Sequence, residues 1–254
     1  MRKVISKDGT PIAFDQSGVG PPVILVVGAF NDRATGAPLA AQLSEHFTVF
    51  NYDRRGRGAS GDSTPYAIER EIEDLAALLD EAGGSSSVFG YSSGAILILK
   101  AAASGLALSR LALYEPPFLL DDGFPQRAQE ISVRLTELVA SGRRGDAVEL
   151  FQMEMVGIPA EIVAQMRHAP FRPALENIAP TLIYEATIMG DISALAEQLP
   201  SIRIPTLVIS GGISQAIMRS AAQTLADALP NAEHRSLEGQ THDIVPAVLA
   251  PVLE

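Results

Sequence analysis

Ser87-Val88-Phe89-Gly90-Tyr91-Ser92-Ser93-Gly94-Ala95-Ile96-Leu97-Ile98-Leu99 is the stretch on which the reading of this chain turns. A short run of strand character leads through Gly90-Tyr91-Ser92-Ser93-Gly94 into a segment that is apolar nearly all round, with Lys100 the only charge in residues 93–104. A G-x-S-x-G string between strand and helix puts its serine on a sharp, strained turn. Such a turn needs small neighbours, because a Cβ on either flank would collide with the returning chain, and Gly90 and Gly94 supply the room. The turn aims the Ser92 hydroxyl out of the sheet, beside the free N–H groups and positive dipole end of the next helix. Ser92 is therefore the candidate nucleophile, and Ser93 the weaker one. A helix apolar on every side predicts central packing against a sheet, ended by Gly105.

Working outward, residues 23–27, 47–51, 87–90 and 108–114 are short apolar runs separated by longer segments, as buried parallel strands are. Residues 2–6 and 10–16 flank Asp8-Gly9, the turn chemistry of an antiparallel hairpin at a sheet edge. Ile68, Ile72, Leu75, Leu78, Leu79 and Ala82 recur at helical spacing, and Gly83 stands where a C-terminal cap belongs. Between 121 and 200 only helix-like stretches such as 125–141 and 159–168 remain; strand character returns at 204–210 and 232–237. The fold class is α/β: a doubly wound, mostly parallel sheet with a helical lid insertion. Residues 1–120 and 201–254 are expected to form the core and 121–200 the lid.

The 254 residues are 47% hydrophobic and 19% charged, enough apolar material for a large core. A net charge of −11, with no basic cluster beyond Arg54, Arg55 and Arg57, argues against nucleic acid and anionic membranes as partners. The absence of cysteine excludes disulfides, thiolate metal sites and a cysteine nucleophile. No apolar run approaches the roughly 20 residues of a membrane span, and residues 1–9 lack a signal-peptide core. The expectation is a cytoplasmic monomer or homodimer acting on a small molecule.

With these motifs the chain resembles the α/β-hydrolase superfamily over nearly its whole length. Asp53-Arg54-Arg55-Gly56-Arg57-Gly58-Ala59-Ser60 is similar to the D-x-R-G-x-G-x-S loop of that superfamily, for which a structural role is expected, with its arginines solvated or packed. The triad order nucleophile, acid, histidine sets aside His46, His168 and His234 and selects His242, in the loop after residues 232–237. Many members carry an aspartate where this chain has Ser214, in Gly211-Gly212-Ile213-Ser214, so no carboxylate stands there. Glu115 closes the strand that follows the nucleophile's helix, and in that placement the chain resembles haloalkane dehalogenases and, more closely, zearalenone lactonases. The latter also share the Ser-Ser-Gly-Ala wording of residues 92–95. Glu115 is thus the candidate acid; Asp121, Asp122, Asp191 and Asp243 are the competing carboxylates.

The resemblance further implies an oxyanion hole from the backbone N–H of Ser93 and one from Gly28-Ala29-Phe30, which is similar to the H-G-x segment without its histidine. Phe30 is the preferred donor and Ala29 the alternative. Phe30, Tyr91, Phe118, Met153, Tyr184 and Met189 are candidates for apolar substrate contact. The implied chemistry is hydrolysis of an ester or lactone through an acyl-enzyme, with no metal or organic cofactor. Carbon–carbon bond hydrolysis, lactonisation or acyl transfer on the same residues, and a non-catalytic receptor, are the alternatives.

Overall fold

The computed structural model of the chain describes residues 1–120 and 123–254. Asp121 and Asp122, two of the competing acids, lie outside the described residues. The chain divides into two compact units, residues 1–119 with 194–254, and residues 120–193.

The first unit is built on one sheet. Its strands are β1 (Arg2–Ile5), β2 (Pro11–Ser17), β3 (Pro22–Val26), β4 (Thr48–Tyr52), β5 (Ser86–Tyr91), β6 (Leu108–Tyr114), β7 (Thr206–Gly211) and β8 (Ala232–Leu237). They lie in the order β1-β2-β4-β3-β5-β6-β7-β8. β2 pairs antiparallel with β1 and β4, and the other pairings are parallel. The chain moves from β3 outward to β4 and then returns to lay β5 on the other side of β3. The crevice above the carboxyl ends of β3 and β5 is thus the topological switch point, where open α/β sheets bind their ligands. The apolar runs read from the sequence are these strands, displaced by a residue or two at their ends.

Three helices fill the first half of this unit: α1 (Arg33–Leu43), α2 (Ile68–Glu81) and α3 (Ser93–Ala103). Asp32 caps α1, its carboxylate accepting from the Ala34 N–H. α2 ends before Gly83, which has a φ of 102°. Residues 93–101 of α3 are all buried, which explains why its sequence carries no polar face.

The second unit is helical: α4 (Phe124–Ala140), α5 (Arg144–Leu150), α6 (Ala160–Met166), α7 (Arg172–Asn177) and α8 (Leu182–Gly190). α4 buries Phe124, Ala128, Ile131 and Leu135, a single stripe at helical spacing. It packs so closely on α8 that a Cβ on Gly190 would stand 3.2 Å from the Ala128 Cβ. α9 (Ile192–Gln198) follows, and the 3-10 turn Leu199–Ser201 after it packs on α3, within the first unit. α10 (Ala216–Ala228) and α11 (Pro246–Leu253) complete the first unit.

The arginines of the loop after β4 are not solvated. Arg54 and Arg55 are wholly buried and Arg57 nearly so. Arg54 makes two 2.7 Å hydrogen bonds to the Glu71 carboxylate and a third, at 3.2 Å, to the Val27 carbonyl. Arg55 donates to both oxygens of Asp74 and reaches Asp8. Burial raises the pKa of the Glu71 carboxyl, but Arg54 outweighs it and holds the group below the ordinary range. Taking such charges out of water costs several kcal/mol per ion, so each depends on its partner. Glu71→Ala, which leaves Arg54 buried without this carboxylate, is expected to lower unfolding stability in urea by about 3–5 kcal/mol. A loss below about 1 kcal/mol would show that water replaces the carboxylate.

Candidate active site

Ser92 sits at φ 55° and ψ −129°, between the last residue of β5 and the first of α3. That backbone strain persists only where the surroundings over-determine it. A Cβ on Gly90 would stand 2.5 Å from Ile98 Cδ1 and 2.7 Å from Ala95 Cα, and one on Gly94 would stand 2.4 Å from the Val26 carbonyl oxygen. The two glycines therefore let α3 rest directly on β5 and β3. Gly28 completes the close approach, since a side chain there would meet the Ser92 Cβ at 2.9 Å. The Ser92 N–H donates to the Tyr114 carbonyl at 2.9 Å, which ties the turn to the end of β6.

Glu115 follows directly and is also left-handed, with φ 53°. Its N–H donates to the Ile209 carbonyl at 2.8 Å, and its side chain is fully buried. One carboxylate oxygen accepts the Gly211 N–H at 2.6 Å, and the other lies 3.1 Å from His242 Nδ1. With Nδ1 carrying the proton toward the carboxylate, Nε2 is left as the acceptor. The imidazole is held from two further sides. Its ring centroid is 5.0 Å from that of Tyr91, and the Tyr114 hydroxyl reaches the carbonyls of Thr241 and Asp243 at 2.5 and 3.1 Å, bracketing His242. Burial pushes the Tyr114 phenol well above its ordinary range, so it stays a donor. No hydrogen bond joins Ser92 Oγ to the imidazole among the described residues; such bonds are often long in unliganded sites and tighten around substrate.

Of the other carboxylates, Asp243 is exposed, and Asp191 is exposed at the end of α8 in the second unit. Ser214 is buried beside Gly211 and brings no carboxylate. In the segment after β3, the Ala29 N–H donates to Ser93 Oγ at 2.9 Å. That engagement leaves the Ala29 N–H donating within the fold, and the next residue, Phe30, is left-handed at φ 60°. It also occupies the Ser93 hydroxyl, which is buried and makes a poor nucleophile. Tyr91 stacks on Tyr114 with ring centroids 6.1 Å apart, and Phe118 is 1% exposed. Met153, Tyr184 and Met189 belong to the second unit, the last two buried on α8.

Elsewhere a serine–histidine contact that the sequence does not signal is present: Ser210 Oγ lies 2.9 Å from His234 Nε2, and His234 Nδ1 lies 2.9 Å from Gln223 Oε1. Ser210 is fully buried, so this array offers no reachable nucleophile and ties β7, β8 and α10 together. Its residues lie on three separate elements with no shared motif, so spacing could not reveal it. Among the described residues no three His, Cys, Asp or Glu side chains group as metal ligands.

The sheet order, the turn at Ser92 and the histidine beyond β8 match a known family. The alpha/beta hydrolase family model covers residues 23–251. The chain belongs to that family. It superposes on an alpha/beta hydrolase from Sphaerobacter thermophilus with a TM-score of 0.91 and 56% identity, covering 99% of this chain and 98% of the other. It is 25% identical over 233 residues to the pimeloyl-[acyl-carrier protein] methyl ester esterase of Xanthomonas oryzae pv. oryzae, covering 90% of each chain. The enol-lactonase of Burkholderia xenovorans shares its fold with a TM-score of 0.65 and 25% identity, over 93% of this chain and 91% of that one.

Two outcomes are expected from this geometry. Gly94→Ala drives a methyl into the Val26 carbonyl and should lower unfolding stability by at least about 2 kcal/mol, read from urea denaturation. Burial lowers the His234 pKa below its ordinary 6.5. The unfolded state then binds the proton more readily, so stability is full above that value and falls as pH decreases through the window below it. Thermal melts between pH 7.5 and 5 should show this slope, and His234→Gln should flatten it.

Proposed function

We propose that this α/β hydrolase cleaves an ester or lactone of a small lipophilic substrate through an acyl-enzyme. Ser92 Oγ attacks the carbonyl carbon while His242 Nε2 takes the hydroxyl proton, and the carbonyl oxygen becomes an oxyanion held by the N–H groups of Phe30 and Ser93. The intermediate collapses, breaking the bond to the alkoxy oxygen, which leaves with the proton from His242. Water then attacks the acyl-enzyme, His242 takes its proton, and the acid is released as that proton returns to Ser92.

The observation that carries the reading is the buried Glu115 carboxylate, fixed by the Gly211 N–H and 3.1 Å from His242 Nδ1, at the strand end adjoining Ser92. In this role Glu115 holds the imidazole in the tautomer that accepts at Nε2 and stabilises the imidazolium. Similarity to an esterase and an enol-lactonase supports an ester or lactone as the substrate class. Family membership makes the chain a hydrolytic enzyme, and no helix among the described residues is long and apolar enough to cross a membrane.

The test is intact mass after a fluorophosphonate probe, which labels activated serines, together with turnover of p-nitrophenyl butyrate. A single adduct on the wild type that disappears in Ser92→Ala is expected, and an unlabelled, well-folded wild type would overturn the reading. Glu115→Gln should cut kcat about 10⁴-fold with KM little changed. The Gly211 N–H forces the amide oxygen of glutamine toward itself and turns the NH₂ toward Nδ1. The imidazole proton is then driven to Nε2, where it blocks acceptance from serine. A Glu115→Gln rate near wild type would remove Glu115 from the mechanism.

A further inference from the structure

Several backbone groups of the segment joining β3 to α1 are held by side chains. Arg54 takes the Val27 carbonyl, and Arg57 Nη1 donates to the carbonyls of Gly28 at 2.6 Å and Asn31 at 2.9 Å. Ser93 Oγ takes the Ala29 N–H. The Asn31 carboxamide donates its Nδ2–H to the Ala29 carbonyl. Farther on, Asp53 accepts the Arg33 N–H at 2.9 Å and Asn51 donates to the Arg33 carbonyl at 2.7 Å, which anchors the start of α1.

The bond from Asn31 bears on the oxyanion hole through covalent geometry. The Ala29 carbonyl and the Phe30 N–H belong to one planar trans peptide and point in opposite directions. Whatever fixes the carbonyl fixes the N–H. At Phe30 the chain is in the left-handed region, φ 60°, where a rotation of this peptide would relieve backbone strain and carry the N–H away. Arg57 and Ser93 hold the Gly28–Ala29 peptide just before this one, Arg57 also holds the Asn31 carbonyl beyond it, and the Asn31 carboxamide holds the Ala29–Phe30 peptide itself.

We infer that Asn31 is a positioning residue for the oxyanion hole, its carboxamide holding the Ala29–Phe30 peptide with the Phe30 N–H turned toward the developing oxyanion while Arg57 anchors the carbonyls of Gly28 and Asn31. The inference rests on the reading of Ser92 as an acyl-transfer nucleophile. Asn31 touches no reacting atom and acts only through this peptide. It is half-buried on a loop, so replacing it does not open a core.

The test compares Asn31→Ala and Asn31→Asp with the wild type, using p-nitrophenyl butyrate turnover, the rate of fluorophosphonate labelling and thermal melting. Asp keeps the shape but turns an acceptor toward the Ala29 carbonyl. Both variants should lose about 10²-fold in kcat and in labelling rate, the order of losing one oxyanion donor, with KM within about threefold. The melting midpoint should stay within about 3 °C. Protonating the introduced aspartic acid restores a donor, so the activity ratio of Asn31→Asp to wild type should rise as pH is lowered from 8 to 5, while that of Asn31→Ala stays flat. If the wild type is labelled and both variants react at its rate, the positioning role is wrong. Losses that come with a lowered melting point, a raised KM and no change of the ratio with pH also overturn it, in favour of general loosening. An unlabelled wild type removes the hydrolase reading itself, and the inference with it.

Discussion

The contact on which the rest depends is the backbone-to-backbone approach of α3 to β3 and β5. Gly90 and Gly94 leave no space for a side chain between helix and sheet, and Gly28 leaves none between the β3 loop and Ser92. That proximity forces the turn at Ser92 into its left-handed conformation and brings the first N–H groups of α3 beside the loop after β3. It is held in place by the apolar burial of residues 95–99 of α3, each 0% exposed, which far exceeds the cost of one strained residue.

Charge is used below this turn as a fastener. Arg54, Arg55 and Arg57 leave water at considerable cost, and that cost is offset because each guanidinium satisfies several acceptors at once. The planar fork of arginine lets Arg54 bridge α2 to the end of β3, and lets Arg57 hold two carbonyls of the next loop. A hydrophobic cluster of equal volume would bury these loops as well, but it would not dictate which way their peptides face. For the proposed oxyanion donors, which are backbone N–H groups, that direction matters.

The acidic partner of His242 illustrates how one geometry can be reached from two strands. The carboxyl ends of β6 and β7 are neighbours, joined by the pairing of Tyr114 with Ile209, so a carboxylate on either can approach a histidine in the loop after β8. Here the β7 side contributes a buried serine and the Gly211 N–H, and the β6 side contributes the glutamate. The extra methylene of glutamate and the left-handed backbone at Glu115 fit the changed origin of the side chain.

The sequence alone determined what depends on neighbours along the chain. The strand, turn and helix around Ser92, the apolar runs of the parallel strands, the hairpin at Asp8-Gly9 and the stripe on α2 are all short-range patterns of side-chain period and glycine placement, and they were legible without coordinates. The order of Ser92, Glu115 and His242 along the chain was legible too, because strand ends gather at one edge of such a sheet. Only the tertiary structure decided which polar groups meet across that edge. His242 approaches Glu115 from 127 positions away, Tyr114 reaches the carbonyls on either side of His242, and a fully buried Ser210 pairs with His234. The burial of the three arginines, which their charge alone argues against, likewise follows from acceptors that other elements bring to them. Hydrogen bonds of this kind are set by the direction of peptides and side chains in three dimensions, and direction is not written in spacing.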